Sequence, residues 1–170
     1  FSYFIEQSAS YELRLKQLNA AESVPLTGVS GSLFAPAWSI DDKLAFADIA
    51  NDHCKILVAD IEPTQHKISK VSQIFDCGAN GFPQLSWSNN GKRLYFNSKE
   101  SKDGNYRLYQ YQMDTAKVQA LTFDSFPNDE FFKIVPSAND NIFGLISFNG
   151  QQTRIWHYDT RQPHLQLVFE

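Results

Sequence analysis

The chain has 170 residues, 42% hydrophobic and 14% aromatic, and a formal net charge of −4. That is enough apolar material for a substantial folded core. With no Lys/Arg run longer than Lys92-Arg93, the charge pattern excludes a surface built to grip a phosphate backbone, so direct nucleic-acid contact is not expected. No apolar stretch approaches the ~20 residues that span a bilayer. A sequence opening at Phe1 reads as a piece of a longer polypeptide, any membrane attachment lying upstream.

Taken in order, the elements are short strands. Tyr3-Phe-Ile5, Leu13-Arg-Leu15 and Val24–Thr27 predict three of them. Ala37-Trp38-Ser39 then predicts an inner strand closed by the polar turn Ile40-Asp41-Asp42. Leu44–Ala47, the alternating Ile56–Asp60 and Val71–Phe75 complete a set of four. The next set is Trp87 and its neighbours, the turn Ser88-Asn-Asn-Gly91, Leu94–Phe96, Tyr106–Tyr111 and Val118–Thr122. The last is Phe132–Val135, Asn141–Phe148, Arg154–Tyr158 and Leu165–Val168. Ser39, Ser88 and Ser137 stand 49 residues apart, each ending a related segment that opens with Phe34, Phe82 or Phe131. A strand-rich period of this size marks propeller blades. The expected fold class is therefore all-β, a partial β-propeller array of four-stranded antiparallel blades. It would hold three full blades plus three strands of another, in a single domain divided at approximately 1–32, 33–79, 80–127 and 128–170. Trp38 and Trp87 are expected to wedge between blades, each burying about 200 Å². Ser39 and Ser88 are expected to hydrogen-bond the turns that follow them.

Residues with chemistry to offer are few. Gly28-Val-Ser30-Gly-Ser32 approaches a nucleophile elbow, but its second glycine arrives one residue early and no helix follows. His53, His66, His157 and His164 fall at different phases of the repeat, so no Ser/His/Asp set is expected. His53-Cys54 with Cys77 gives three ligand types without the paired spacing of a zinc site. Asn139-Asp-Asn141 lacks the glycine and closing glutamate of a calcium loop. No metal or cofactor is expected. The two cysteines, one opening a third strand and one in the connection to the next blade, emerge on one face. A disulfide between them is geometrically allowed, and half-buried free thiols are the commoner outcome.

On that face gather the connections entering the inner strands and those joining strands two and three. They bring His53, Asn80, Phe82, Asn128, Asp129, Glu130 and Phe131, with Asp124 close by in sequence. Aromatic rings among hydrogen-bonding groups are the composition of recognition surfaces, although Phe82 and Phe131 could equally begin inner strands. Asp124, Asp129 and Glu130 are expected to face solvent. An incomplete array would also leave sticky blade edges, which a second copy could cover as a homodimer.

Pro36-Ala-Trp-Ser-Ile-Asp-Asp-Lys-Leu-Ala-Phe46 and Leu85-Ser-Trp-Ser-Asn-Asn-Gly-Lys-Arg-Leu-Tyr-Phe96 resemble the signature of TolB-like β-propeller repeats. Leu108–Tyr111 and Leu121-Thr122 resemble that pattern's third strand and blade end, whereas Pro136 stands where the last repeat would carry Trp. The resemblance implies a non-catalytic sensing or interaction module that takes a protein or small-molecule ligand. Degenerate arrays of this kind resemble the C-terminal, periplasmic part of CadC-type membrane-tethered winged-helix transcriptional regulators, anchored in the inner membrane. The alternatives are the substrate-gating propeller of a prolyl-oligopeptidase-type hydrolase and a TolB-like periplasmic scaffold.

Overall fold

The computed structural model describes residues 2–7, 10–51, 53–62, 64–79, 81–99, 104–123 and 129–170, with backbone alone for 2–7, 10 and 163. All of its regular structure is β, in four antiparallel meanders. The first sheet is β1 (Ser2–Gln7), β2 (Ser10–Leu15) and β3 (Val24–Pro25). The second is β4 (Ser32–Trp38), β5 (Lys43–Ala50), β6 (His53–Glu62) and β7 (Lys67–Ala79). The third is β8 (Leu85–Trp87), β9 (Arg93–Lys99), β10 (Tyr106–Gln112) and β11 (Lys117–Ala120). The fourth is β12 (Glu130–Pro136), β13 (Ile142–Phe148), β14 (Thr153–Asp159) and β15 (Gln162–Phe169). Sequentially paired four-stranded sheets, with three strands in the first, are the blade architecture expected from the repeat.

The chain divides into two compact units, Phe1–Phe82 and Pro83–Glu170, each holding two sheets. A sheet with an apolar face must bury it, and in each unit a pair of sheets does so. In the first, Leu13 and Leu15 of β2 meet Leu33, Leu44, Phe46, Ile61 and Ile68 of the second sheet. Trp38 packs against that cluster, its indole N–H buried without a hydrogen-bond partner. The two sheets are also stitched edge to edge. Thr27 accepts the Ile68 N–H at 2.7 Å and donates its own N–H to the His66 carbonyl at 3.1 Å. Gly28, at φ +99°, lets the backbone pass the Ile68 carbonyl where any Cβ would collide. In the second unit, Tyr95 and Leu108 of the third sheet meet Phe131, Ile134, Phe143 and Leu145 of the fourth.

Inner strands β4 and β12 open at Ser32 and Glu130, ahead of the expected Ala37 and Phe132, whereas β8 runs only from Leu85 to Trp87. Pro83 has no N–H for the ladder, and the Asn97 side chain accepts the Gln84 N–H at 2.6 Å where β9 backbone would. Cys77 lies within β7 rather than in a connection.

The serines at 49-residue spacing close the inner hairpins. Ser39 Oγ accepts the N–H groups of Asp41 and Lys43 at 3.2 and 3.0 Å. Ser88 Oγ accepts the Arg93 N–H at 2.9 Å and donates to Asn90 Oδ1 at 2.9 Å. Ser137 donates to Asn139 Oδ1 at 2.7 Å. Three residues after each serine the chain turns left-handed, at Asp42 (φ 54°), Gly91 (φ 69°) and Asp140 (φ 55°). These are residue types that tolerate that geometry. In the second unit two such turns are clasped together. Asp140, buried, accepts the N–H of Asn89 at 2.8 Å and of Asn90 at 3.2 Å. Asn89 in return donates its side-chain amide to the Ser137 carbonyl.

Two substitutions test this assembly in chemical denaturation. Trp87→Ala removes a side chain only 8% exposed and is expected to cost about 3–5 kcal/mol. Asp140→Ala strands two backbone donors and is expected to cost about 1–3 kcal/mol, with Asn89→Ala non-additive with it.

Candidate protein-interaction site

In the first unit the outer strands β6 and β7 are pinned where they leave the body of the second sheet. Cys54 and Cys77 form a disulfide, with Cα atoms 5.0 Å apart, so the thiols are not free. Both cysteines are buried. The bridge sits beside a bulge that shifts the β6–β7 register between Cys54 and Lys55. Over it passes Gly81, where a Cβ would stand 2.9 Å from the Cys77 carbonyl oxygen and 3.3 Å from Cys54 Sγ. A larger residue there would lift the segment off the disulfide.

His53 is the first residue of β6, exposed, with Nε2 3.0 Å from a carboxylate oxygen of Asp76. Asp76 also accepts the Gly78 N–H at 2.9 Å. That hydrogen bond is the main reason its carboxyl titrates below the usual 3.8, with His53 and Lys55 adding to the effect and desolvation opposing it. Phe82 stands 57% exposed, its ring edge-on to Phe34 at 5.9 Å, and Phe34 in turn tilts against Tyr11 at 4.5 Å. Phe82 occupies the same phase as Leu33 and Phe131, 49 residues to either side, and both of those are buried. With β8 shortened by Pro83, the ring that should begin an inner strand is left outside. The result is an aromatic row ending in an exposed ring, in the same unit as an exposed imidazole–carboxylate pair on disulfide-locked backbone. Such preorganised mixtures of aromatic and polar groups recognise proteins.

The second unit treats its share of the expected surface differently. Phe131 is fully buried in the core and stacks on Phe123 at 6.1 Å, so it is scaffold and not surface. Asp129, expected in solvent, is buried. It accepts the Ser147 hydroxyl at 2.6 Å and pairs with Arg154 at 3.3 Å, while Ser147 also accepts the Trp156 N–H at 2.8 Å. Arg154 bridges onward to Glu170 at 2.7 Å. This chain fills an acid's hydrogen-bonding capacity in the interior and braces the end of β14 against β15. Glu130, half-buried, opens β12 opposite Phe148. Asn80, Asn128 and Asp124 lie outside the described residues. Sequence reading missed Asp76, Phe34 and Arg154. An Asp-x-Gly at 76–78 facing a strand that starts with His53 was a usable signal for the first; the others depend on cross-strand register.

Among the described residues no three His, Cys, Asp or Glu side chains converge as metal ligands, and no helix is long and apolar enough to cross a membrane.

The fold is that of TolB-type propeller blades. No protein-family model matches the chain. The Tol-Pal system protein TolB of Ruthia magnifica subsp. Calyptogena magnifica is 28% identical over 115 residues, covering 67% of this chain and 26% of that protein. TolB from Acinetobacter baumannii superposes with a TM-score of 0.78 at 18% identity, over 99% of this chain and 40% of that one. A prolyl endopeptidase is similar at a TM-score of 0.65 and 13% identity, over 99% of this chain and 27% of that one. The chain thus spans about a quarter of the curated relative and two-fifths of the solved TolB chain.

Two measurements probe the braced end. Converting both Cys54 and Cys77 to Ala, or reducing the bridge, is expected to lower stability by about 2–4 kcal/mol by denaturant titration. Asp76 has its folded pKa below its unfolded value, so its contribution is complete above about pH 4 and is lost as pH falls through the lowered value. Asp76→Asn is therefore expected to flatten the acid limb of Tm against pH while leaving Tm near neutrality less affected.

Proposed function

We propose that this chain is a non-catalytic docking module that binds a protein partner through the Phe82 end of its first unit, in the manner of a TolB-like periplasmic scaffold. The observation that carries the reading is Phe82 itself, an exposed aromatic ring at a repeat phase where Leu33 and Phe131 are buried, beside backbone locked by Cys54–Cys77. Exposing a phenylalanine costs hydrophobic free energy that a partner recovers. Supporting evidence is the likeness to TolB proteins in sequence and in fold. A disulfide also suits an oxidising compartment such as the periplasm.

Two other uses of the same blades are distinguished by what flanks them. A CadC-type membrane-tethered regulator would carry basic helices and one hydrophobic span ahead of the module. The prolyl-oligopeptidase-type gate, favoured by the prolyl endopeptidase likeness, would carry a Gly-x-Ser-x-Gly domain beyond it. Peptide mass spectrometry on the native protein reads those flanks directly.

The docking reading is tested by interferometry of the chain against the purified Tol-Pal proteins of its own organism. Phe82→Ser is expected to weaken binding at least about tenfold with Tm unchanged, and His53→Ala to weaken it less. Equal binding by wild type and Phe82→Ser, or no binding at all, overturns it.

A further inference from the structure

Between the third and fourth sheets, wholly inside the second unit, lies a cleft of about 300 Å³ that the docking surface does not use. Phe143 lines it, held edge-on by Tyr95 at 5.0 Å and stacked with Tyr158 at 6.3 Å. Arg93, Gln110 and Asn141 also line it. Two polar groups here meet no carboxylate. The Tyr95 hydroxyl is buried, in a residue only 1% exposed, and makes no hydrogen bond. The Arg93 guanidinium, half-buried at the start of β9, makes no ion pair among the described residues, and its polar neighbour in the cleft is the Tyr95 hydroxyl. Asp140, the acid whose field reaches the Tyr95 hydroxyl, already accepts the N–H groups of Asn89 and Asn90. A buried hydroxyl without a well-formed hydrogen bond costs free energy in the folded state, and an adjacent guanidinium with no carboxylate partner is a fork shaped for one.

We propose that this cleft binds a small organic carboxylate with a flat apolar body. Its carboxylate pairs with Arg93 and takes the Tyr95 hydroxyl as a donor, while its ring or hydrocarbon part lies on Phe143 and Tyr158. The Asn141 amide, also in the lining, selects among ring substituents. Burial raises the Tyr95 pKa above 10.0, with Arg93 opposing it, so the phenol is protonated at neutral pH and is a donor to an anion. A volume at the small end of ligand pockets fits roughly ten non-hydrogen atoms, which suits a ligand of the size of benzoate. The affinity for so small a probe is on the order of millimolar.

Sodium benzoate is titrated into the isotopically labelled chain and followed by NMR, with neutral benzamide as the isosteric control. Saturable shifts centred on Arg93, Tyr95 and Tyr158, with benzamide and Arg93→Gln each at least about tenfold weaker, are the expected result. Tyr95→Phe removes a hydroxyl that the free protein leaves unsatisfied. It is expected to hold or raise Tm while weakening benzoate. Shifts that rise without saturation, equal binding of benzamide, or unchanged affinity in Arg93→Gln would overturn the proposal. Because these residues all lie in the second unit, Phe82→Ser is expected to leave the titration unchanged.

Discussion

The register of every inner hairpin rests on one turn, and the rest of each sheet is hung from that register. A strand repeats every two residues, so slipping a hairpin by one position turns every core side chain outward. Ser39, Ser88 and Ser137 prevent the slip by using a side-chain oxygen to anchor the tip of the turn. A left-handed residue three positions on then sends the chain back. The turn need not have a constant length: Ser39 bonds back to Lys43 and Ser88 to Arg93, one residue further. What is held constant is the serine and the left-handed step. With them in place, Leu44 faces Trp38 and Leu94 faces Trp87, and the apolar faces of β5 and β9 point where neighbouring sheets need them.

Once register is set, the paired sheets leave few buried side-chain groups unsatisfied among the described residues, and those that remain are informative by their position. Polar side chains inside the second unit are joined into a connected path from Trp156 through Ser147 and Asp129 to Arg154. Against that background an exposed Phe82 or a bare Tyr95 hydroxyl is out of character with its surroundings. Both have local causes. Pro83 cuts β8 short and leaves Phe82 outside, and β9 carries Tyr95 into the lining of a cleft where its hydroxyl finds no hydrogen bond.

How much of this could be read in the residues depended on range. Alternation in Tyr106–Tyr111 and the Asn-Asn-Gly turn made strands and hairpins plain, because period and turn chemistry are properties of a few neighbouring residues. The constant serine interval extended that reading to the whole array. Burial at the ends of inner strands was not legible. Phe82 and Phe131 share a phase and a residue type, but the exposed one is followed by the strand-shortening Pro83 and the buried one by Phe132. Asp129 looked like a loop acid because its two partners, Ser147 and Arg154, come from strands 18 and 25 residues downstream. The Cys54–Cys77 bond likewise depended on how β6 and β7 run together at a bulge, which neither cysteine's neighbours disclose.

The clasp at Asp140 points backwards along the chain: the later repeat carries the acid and the earlier one carries the donors, 50 and 51 residues before it. During synthesis the hairpin tip at Asn89 and Asn90 is therefore made first and must wait, hydrated, for its acceptor. At ordinary translation rates the interval is roughly 2–10 seconds. A nascent third sheet thus carries two unanswered backbone donors at its inner turn until the fourth emerges and supplies Asp140.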